Sequence, residues 1–378
     1  MSFLQKYMLL LFLLVNLTAE YWLLMSVSKV FFYIILALSI PVLLFKSRVL
    51  NTTSIKICPH LYWMGGIYLL YQFTLGIDTL SKDTILYLIG KLVTFCIIIV
   101  CVKSNFEFYF KKTIQYFTYI IFALLVLGWL FNRYDYGGHI SYGFVNRNAG
   151  AAMVAIAFAG FLFGTDELKR KDWFFIIICF IAVLYAGSRN CLAMCILFML
   201  VRFGFSAKLV SVFGLLAFAL LVVFPEIGIE VTAFERLADT VSGKLGTDRE
   251  NQRDAALWMI ETKPITGWGF GAQMQGHAAE LSILGSHNGY LDHLIYMGLP
   301  FGGMWIFVLF LGAIKRLRLY FLKNRIVNYH IAVMVSILFA ANQEAFLIGV
   351  NQITTNLFFV SFTVLGAYIY QQKFKVSR

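Results

Sequence analysis

Three arginines and one histidine stand out because their chemistry suits the handling of a phosphate and a proton. Arg189 lies in the turn Gly187-Ser188-Arg189-Asn190 between two apolar stretches. Arg249 and Arg253 are four residues apart, on one face of a helix expected over Asp248 to Thr262 with Pro264 as its stop. A guanidinium pairs with two phosphate oxygens at once and keeps its proton, so each of these arginines could clamp an anion. His287 belongs to the run Ser286 to Leu294, S-H-N-G-Y-L-D-H-L, at the mouth of the apolar stretch that follows. A neutral imidazole placed there can take a proton from a hydroxyl.

Each of these residues also has a plainer reading. Arg189 could be a turn arginine snorkelling to lipid phosphates. Arg249 and Arg253 could be a solvated helix face paired with Asp248, Glu250 and Asp254, and His287 a helix cap. His277 and His293 lack comparable surroundings. The glycine-alternating run Pro264 to Gly271 permits tight turns but lacks the spacing of a nucleotide fingerprint, so it reads as a structural turn. Glu20, Lys91 and Glu344 fall inside apolar stretches, where a charge needs an account. For Lys91, partnership with a carboxylate or a helix end is a better account than ligand contact. No Cys/His cluster has metal-ligand spacing, D-x-D does not occur, and there is no G-x-S-x-G elbow. External chemistry would therefore rest on arginines and a histidine, with no metal or other cofactor.

The elements that must position these residues are apolar helices. The chain has 378 residues, 60% hydrophobic and 13% charged, with 38 Phe and 20 Tyr. Its mean hydropathy of +0.79 excludes a water-soluble enzyme. Apolar runs long enough to cross a bilayer, or nearly so, fall at about 6–24, 29–45, 60–77, 84–102, 113–131, 145–164, 173–188, 190–204, 208–225, 296–314, 328–347 and 352–371. The expectation is an all-α, polytopic membrane protein of about twelve transmembrane helices, with both termini on one side. The N-terminal run has no small-residue cleavage site and reads as a retained first helix.

With that side cytoplasmic, inner segments hold twenty Lys and Arg and the short outer segments five, Lys29, Lys82, Arg133, Arg147 and Arg189. The formal charge of +12 is then a topology signal, with no nucleic-acid partner needed. The six cysteines lie in or beside apolar runs and suggest no disulfide framework. The one long polar segment, about 226 to 287, is placed outside and collects Glu226, Glu230, Glu235, Arg236, Asp239, Lys244 and the charges from Asp248 to Lys263. This divides the chain into 1–225 (helices one to nine), 226–295 (a periplasmic loop domain with surface helices) and 296–378 (helices ten to twelve). No repeat of 20–50 residues is visible, and the Gly/Pro-interrupted pairs of inverted-repeat transporters are not evident.

Four elements in order now resemble one family. They are F-V-N-R-N-A-G (Phe144 to Gly150), G-S-R-N (Gly187 to Asn190), the loop with Arg249 fifteen residues before P-I-T-G-W-G-F-G, and S-H-N-G-Y-L with M-G-L-P-F-G (Ser286 to Gly302). The set is similar to that of the O-antigen polymerase and ligase superfamily, integral-membrane glycosyltransferases of bacterial surface polysaccharide assembly. The resemblance implies a GT-C-like fold with one long periplasmic loop in the bacterial inner membrane. It also implies a glycan donor on undecaprenyl pyrophosphate and inverting transfer without metal at the outer face. By motif, Arg189 and Arg249 would hold the pyrophosphate and His287 would deprotonate the acceptor hydroxyl. Asn148, Asn288, Tyr290 and Lys91 would support them. The family often has an aromatic four residues after the loop arginine, and this chain has Arg253 there, so either Arg249 or Arg253 could be the clamp.

The implied function is polymerisation of lipid-linked oligosaccharide repeat units, with membrane lipids and other polysaccharide-assembly proteins as partners. One alternative is a ligase that moves the glycan onto lipid A core, so the acceptor glycan is either a lipid-linked unit or that core. A second is a lipid or solute transporter or flippase using Lys91, Glu20 and Arg189 along a path.

Overall fold

Long apolar runs with few prolines can satisfy their backbone in a membrane only as helices, and helices form here. The computed structural model describes residues 3–41, 52–104, 108–131, 140–204, 211, 247–282 and 285–376. The expected span at 208–225, apart from residue 211, and the loop charges Glu226, Glu230, Glu235, Arg236, Asp239 and Lys244 lie outside the described residues.

In chain order the helices are α1 (Phe3–Ala19), α2 (Met25–Pro41), α3 (Thr52–Ile57), α4 (Pro59–Thr74), α5 (Lys82–Ser104), α6 (Phe108–Leu130) and α7 (Arg147–Leu162). They continue as α8 (Arg170–Ala186), α9 (Arg189–Phe203), α10 (Thr247–Thr262), α11 (His277–Leu281), α12 (Gly289–Leu317), α13 (Arg325–Ala340) and α14 (Ile353–Val376). Among the described residues there is no strand beyond one isolated bridge, Tyr21 with Phe144. The all-α expectation holds.

A helix lies at each expected span that falls among the described residues, but among those residues only four stretches are long and apolar enough to cross a membrane. These are Lys82–Lys103, Lys112–Leu130, Gly289–Leu322 and Ile353–Gln372. Leu9–Ala19, Met25–Ile40, Arg147–Leu162 and Arg325–Ala340 are apolar and shorter. One boundary differs in a way that matters. The span expected at 328–347 stops at Ala340, because Asn342, Gln343 and Glu344 carry polar groups that find partners outside a helix. Residues 341–352 therefore form an irregular connection between α13 and α14, and Glu344 sits in it rather than in a span.

The centre of the bundle is α7, buried from Gly150 to Leu162. Five alanines and two glycines in that stretch let α6, α8 and α9 approach closely. Helix α9 then packs on α13, α13 on α14, and α14 on α5. Large apolar side chains such as Trp63, Phe73, Phe174, Tyr185, Phe307 and Phe321 face outward, as a lipid-facing surface requires.

Helix α12 is broken at Gly298, whose backbone is left-handed (φ +68°). The run Pro264 to Gly271 wraps this break. Leu299 N–H donates to Pro264 O (2.7 Å), Trp268 N–H to Ile295 O (2.8 Å) and Gly269 N–H to Tyr296 O (3.0 Å). A Cβ at Gly298 would collide with Ile265 O, and one at Gly267 (φ +64°) with Tyr296 O, so both glycines are demanded by the approach. The structural-turn reading of this run is the one the backbone displays.

Candidate functional site

Helix starts and connections at one end of the bundle supply the site. Asn146 caps α7 by accepting from Ala149 N–H (2.8 Å), which sets Asn148 in the first turn. Gly187 ends α8 in a left-handed conformation (φ +66°), and Arg189 and Asn190 open α9. Arg249 lies in the first turn of α10. Asn288 caps α12, accepting from Tyr290 N–H (3.0 Å) and Leu291 N–H (3.1 Å). Just before it, Ser286 Oγ accepts from Asn288 N–H (3.0 Å) and donates to buried Asp292 Oδ1 (2.6 Å). Between them His287 is held at φ +47°, which costs a side-chain-bearing residue about 1–2 kcal/mol and is tolerated because the turn on both sides is fixed.

These elements meet at Glu344. Its Oε1 accepts from Asn148 Nδ2 (2.9 Å), Asn190 Nδ2 (3.4 Å) and Arg249 Nη2 (3.4 Å). Its Oε2 lies 3.8 Å from His287 Nδ1, a charge-to-ring contact longer than a hydrogen bond. Arg249 Nη1 donates to the neighbouring carbonyl of Gln343 (2.6 Å). The carboxylate side chain is 10% exposed, against 39% for Arg249 and 30% for His287. A buried carboxylate thus gathers a guanidinium and an imidazole that stay partly exposed, the half-buried Asn148 amide and the buried Asn190 amide. Beside them is a cavity of about 470 Å³ lined by Ser286, His287, Asp292, Met274, Tyr296 and Ile348.

The connection that carries Glu344 is pinned from several sides. Gly289 N–H donates to Ala341 O (2.8 Å) and Glu344 O (3.2 Å). Asn288 Nδ2 donates to Asn342 O (2.9 Å) and Tyr290 OH to Leu338 O (2.6 Å). Lys91 Nζ donates to Leu347 O (3.1 Å) and Gly349 O (2.8 Å), and Tyr87 OH to Ile348 O (2.9 Å). Glu20 Oε1 accepts from Ile353 N–H (2.9 Å) where α14 begins. The expected partner of Lys91, a carboxylate or a helix end, is instead a pair of loop carbonyls. Lys91 and Glu20 thus hold the part of the connection that follows Glu344, up to the start of α14.

Of the residues expected at the site, Arg249, His287 and Asn148 come together on Glu344, while Asn288 and Lys91 hold its connection and Tyr290 holds the last turn of α13 before it. Arg189 is half-buried next to Asn190. Arg253 is exposed one turn along α10, and it is Arg249 that reaches the cluster. Sequence reasoning missed Glu344 and Asn190 as site residues. The signal for the first was available, a carboxylate inside an apolar run; for the second it was only adjacency to Arg189. Among the described residues no three His, Cys, Asp or Glu side chains gather with metal-ligand spacing.

An apolar groove of about 640 Å³ lies between α6 and α8, lined by Phe122, Val126, Trp129, Ile178, Ile181 and Tyr185. Its α8 wall ends at Tyr185, one turn before Arg189.

A bundle of apolar helices of crossing length, with a guanidinium and an imidazole gathered on one carboxylate, places the chain among multi-pass membrane proteins. Residues 174–306 match the family described as O-antigen ligase, and over this stretch, about a third of the chain, the match supports the O-antigen polymerase and ligase superfamily. Members of that family are ligases of the glycosyltransferase type. No curated protein matches the chain. The matched stretch contains Arg189, Asn190, Arg249 and His287, whereas Asn148 precedes it and Glu344 follows it.

Proposed function

We propose that the chain polymerises oligosaccharide repeat units carried on undecaprenyl pyrophosphate, as an inverting, metal-independent glycosyltransferase of the bacterial inner membrane with its site on the periplasmic face. The observation that carries this reading is the convergence of Arg249, His287, Asn148 and Asn190 on one buried carboxylate beside an open cavity. Pyrophosphate leaves a sugar readily only if its growing charge is neutralised, and Arg249 with Arg189 would do so. His287 would take the proton of the incoming sugar hydroxyl as that oxygen bonds to the anomeric carbon and the carbon–phosphate oxygen bond breaks. The negative Glu344 beside the ring favours the imidazolium that results. The groove between α6 and α8 would take the polyprenyl chain and lead it to the turn that bears Arg189.

The test is elongation of defined lipid-linked units by purified protein. His287→Ala is expected to bind donor yet elongate about 10²–10⁴-fold more slowly. Elongation at the wild-type rate would remove His287 from this role. The ligase reading differs only in acceptor, and gene deletion separates the two. Loss of a polymerase leaves surface glycan of a single unit, whereas loss of a ligase leaves none attached.

A further inference from the structure

The opposite end of α12 holds a second collection of cations with its own cavity. Helix α12 has 29 residues, so its far end is about 40 Å from the site along the helix. There Lys56 from α3, His60 from α4, Lys315 and Arg316 in the last turn of α12, and Arg318 just after it line a cavity of about 480 Å³. Arg316 is 1% exposed and fixed by uncharged groups alone among the described residues. Its Nε donates to Phe362 O (2.5 Å) and Nη1 to Gly312 O (2.8 Å), while Nη2 lies 3.3 Å from Cys58 Sγ and Nη1 3.4 Å from His60 Nδ1. The guanidinium also stacks on the Phe362 ring at 3.6 Å.

A helix C-terminus favours cations, which accounts for Lys315 and Arg316 taken singly. It does not account for Lys56 on another helix lining the same cavity, nor for a lining that, among the described residues, has four cations and no carboxylate. Burying a guanidinium without a counter-ion is costly, and like charges drawn round one space repel unless an anion enters it. Ile57, Leu319 and Ile369 give the lining an apolar part. Ile314 and Leu317 on α12, and Phe321 in the turn of helix that follows it, are exposed apolar side chains, where acyl chains can lie.

We infer that this cavity is a binding site for a phosphate-bearing anion, best met by the headgroup of an anionic phospholipid in the leaflet opposite the candidate active site. It is independent of the glycan reading and would stand if that reading failed. The test uses the full chain in detergent, titrated with phosphatidylglycerol, phosphatidylcholine or inorganic phosphate while the unfolding temperature is followed. The comparison is with the combined variant K56Q, K315Q and R318Q. All three side chains are exposed, and Arg316 is left in place to keep the packing. Each basic group at an anionic lipid surface is worth roughly fivefold in binding, so the variant is expected to bind phosphatidylglycerol about a hundredfold more weakly. Phosphatidylglycerol, but not phosphatidylcholine, should raise the unfolding temperature of the wild-type chain, and this gain should vanish in the variant. Protection by inorganic phosphate alone, lost in the variant, upholds the anion site and assigns it to a soluble ligand. Equal effects of the two lipids with none from phosphate, or protection undiminished in the variant, overturns the inference.

Discussion

Replacing Glu344 by Gln tests whether the carboxylate acts on the imidazole or merely holds the connection between α13 and α14. Glutamine retains an oxygen able to accept from Asn148, Asn190 and Arg249, so the fold of the connection is kept. What changes is the atom toward His287, from an anionic oxygen at 3.8 Å to an uncharged amide nitrogen. Two unit charges at that separation interact by about 4 kcal/mol at an effective dielectric of ~20. Because His287 is 30% exposed, solvent screening reduces this to about 2 kcal/mol. If His287 becomes positive during transfer, that energy stabilises the transition state and not the resting enzyme. Glu344→Gln should then lower kcat about 30-fold, leave donor KM nearly unchanged and shift the unfolding temperature little. Elongation of lipid-linked units at saturating donor, with a melting curve of the same preparation, reads all three. Activity within twofold of wild type, or a fall matched by loss of folded protein, would refute the reasoning.

Arg249→Ala should abolish measurable donor use while Arg253→Ala retains most of it, because only Arg249 reaches the carboxylate cluster; equal losses in a donor titration would make the α10 face a unit. Gly298→Ala should destabilise by at least about 2 kcal/mol, since the new Cβ meets Ile265 O at a left-handed position, and thermal unfolding in detergent checks it. Lys91→Met should cost about 3 kcal/mol by leaving Leu347 O and Gly349 O without their donor, and it should slow elongation even below the unfolding temperature as Glu344 loses its support. Both effects can be measured on one preparation.

Much of the scaffold was legible because the bilayer admits few solutions. Apolar runs at 84–102, 113–131, 296–314 and 352–371 became helices of crossing length, and the helix expected from Asp248 to Thr262 is α10. The error at α13 has a physical source. Hydropathy averages Asn342, Gln343 and Glu344 into their apolar neighbours, whereas the backbone responds to each polar group and leaves the helix at Ala340. The arginines and His287 were legible from chemistry and motif order. Glu344 was legible only as an anomaly, because its partners are 196, 154, 95 and 57 residues away in the chain and no local spacing joins them. Lys91 shows the same limit, since carbonyl groups in a distant connection leave no mark in the sequence.

The position of Glu344 along the chain has a consequence for engineering. It lies beyond the matched stretch 174–306, and Asn148 lies before it, so that stretch moved alone into a relative would bring Arg249 and His287 without the acid that seats them. Chimaeras built on the matched borders should therefore work only when the recipient supplies an equivalent acid after its own penultimate helix. Grafts that extend through Ile353 would bring this acid with them.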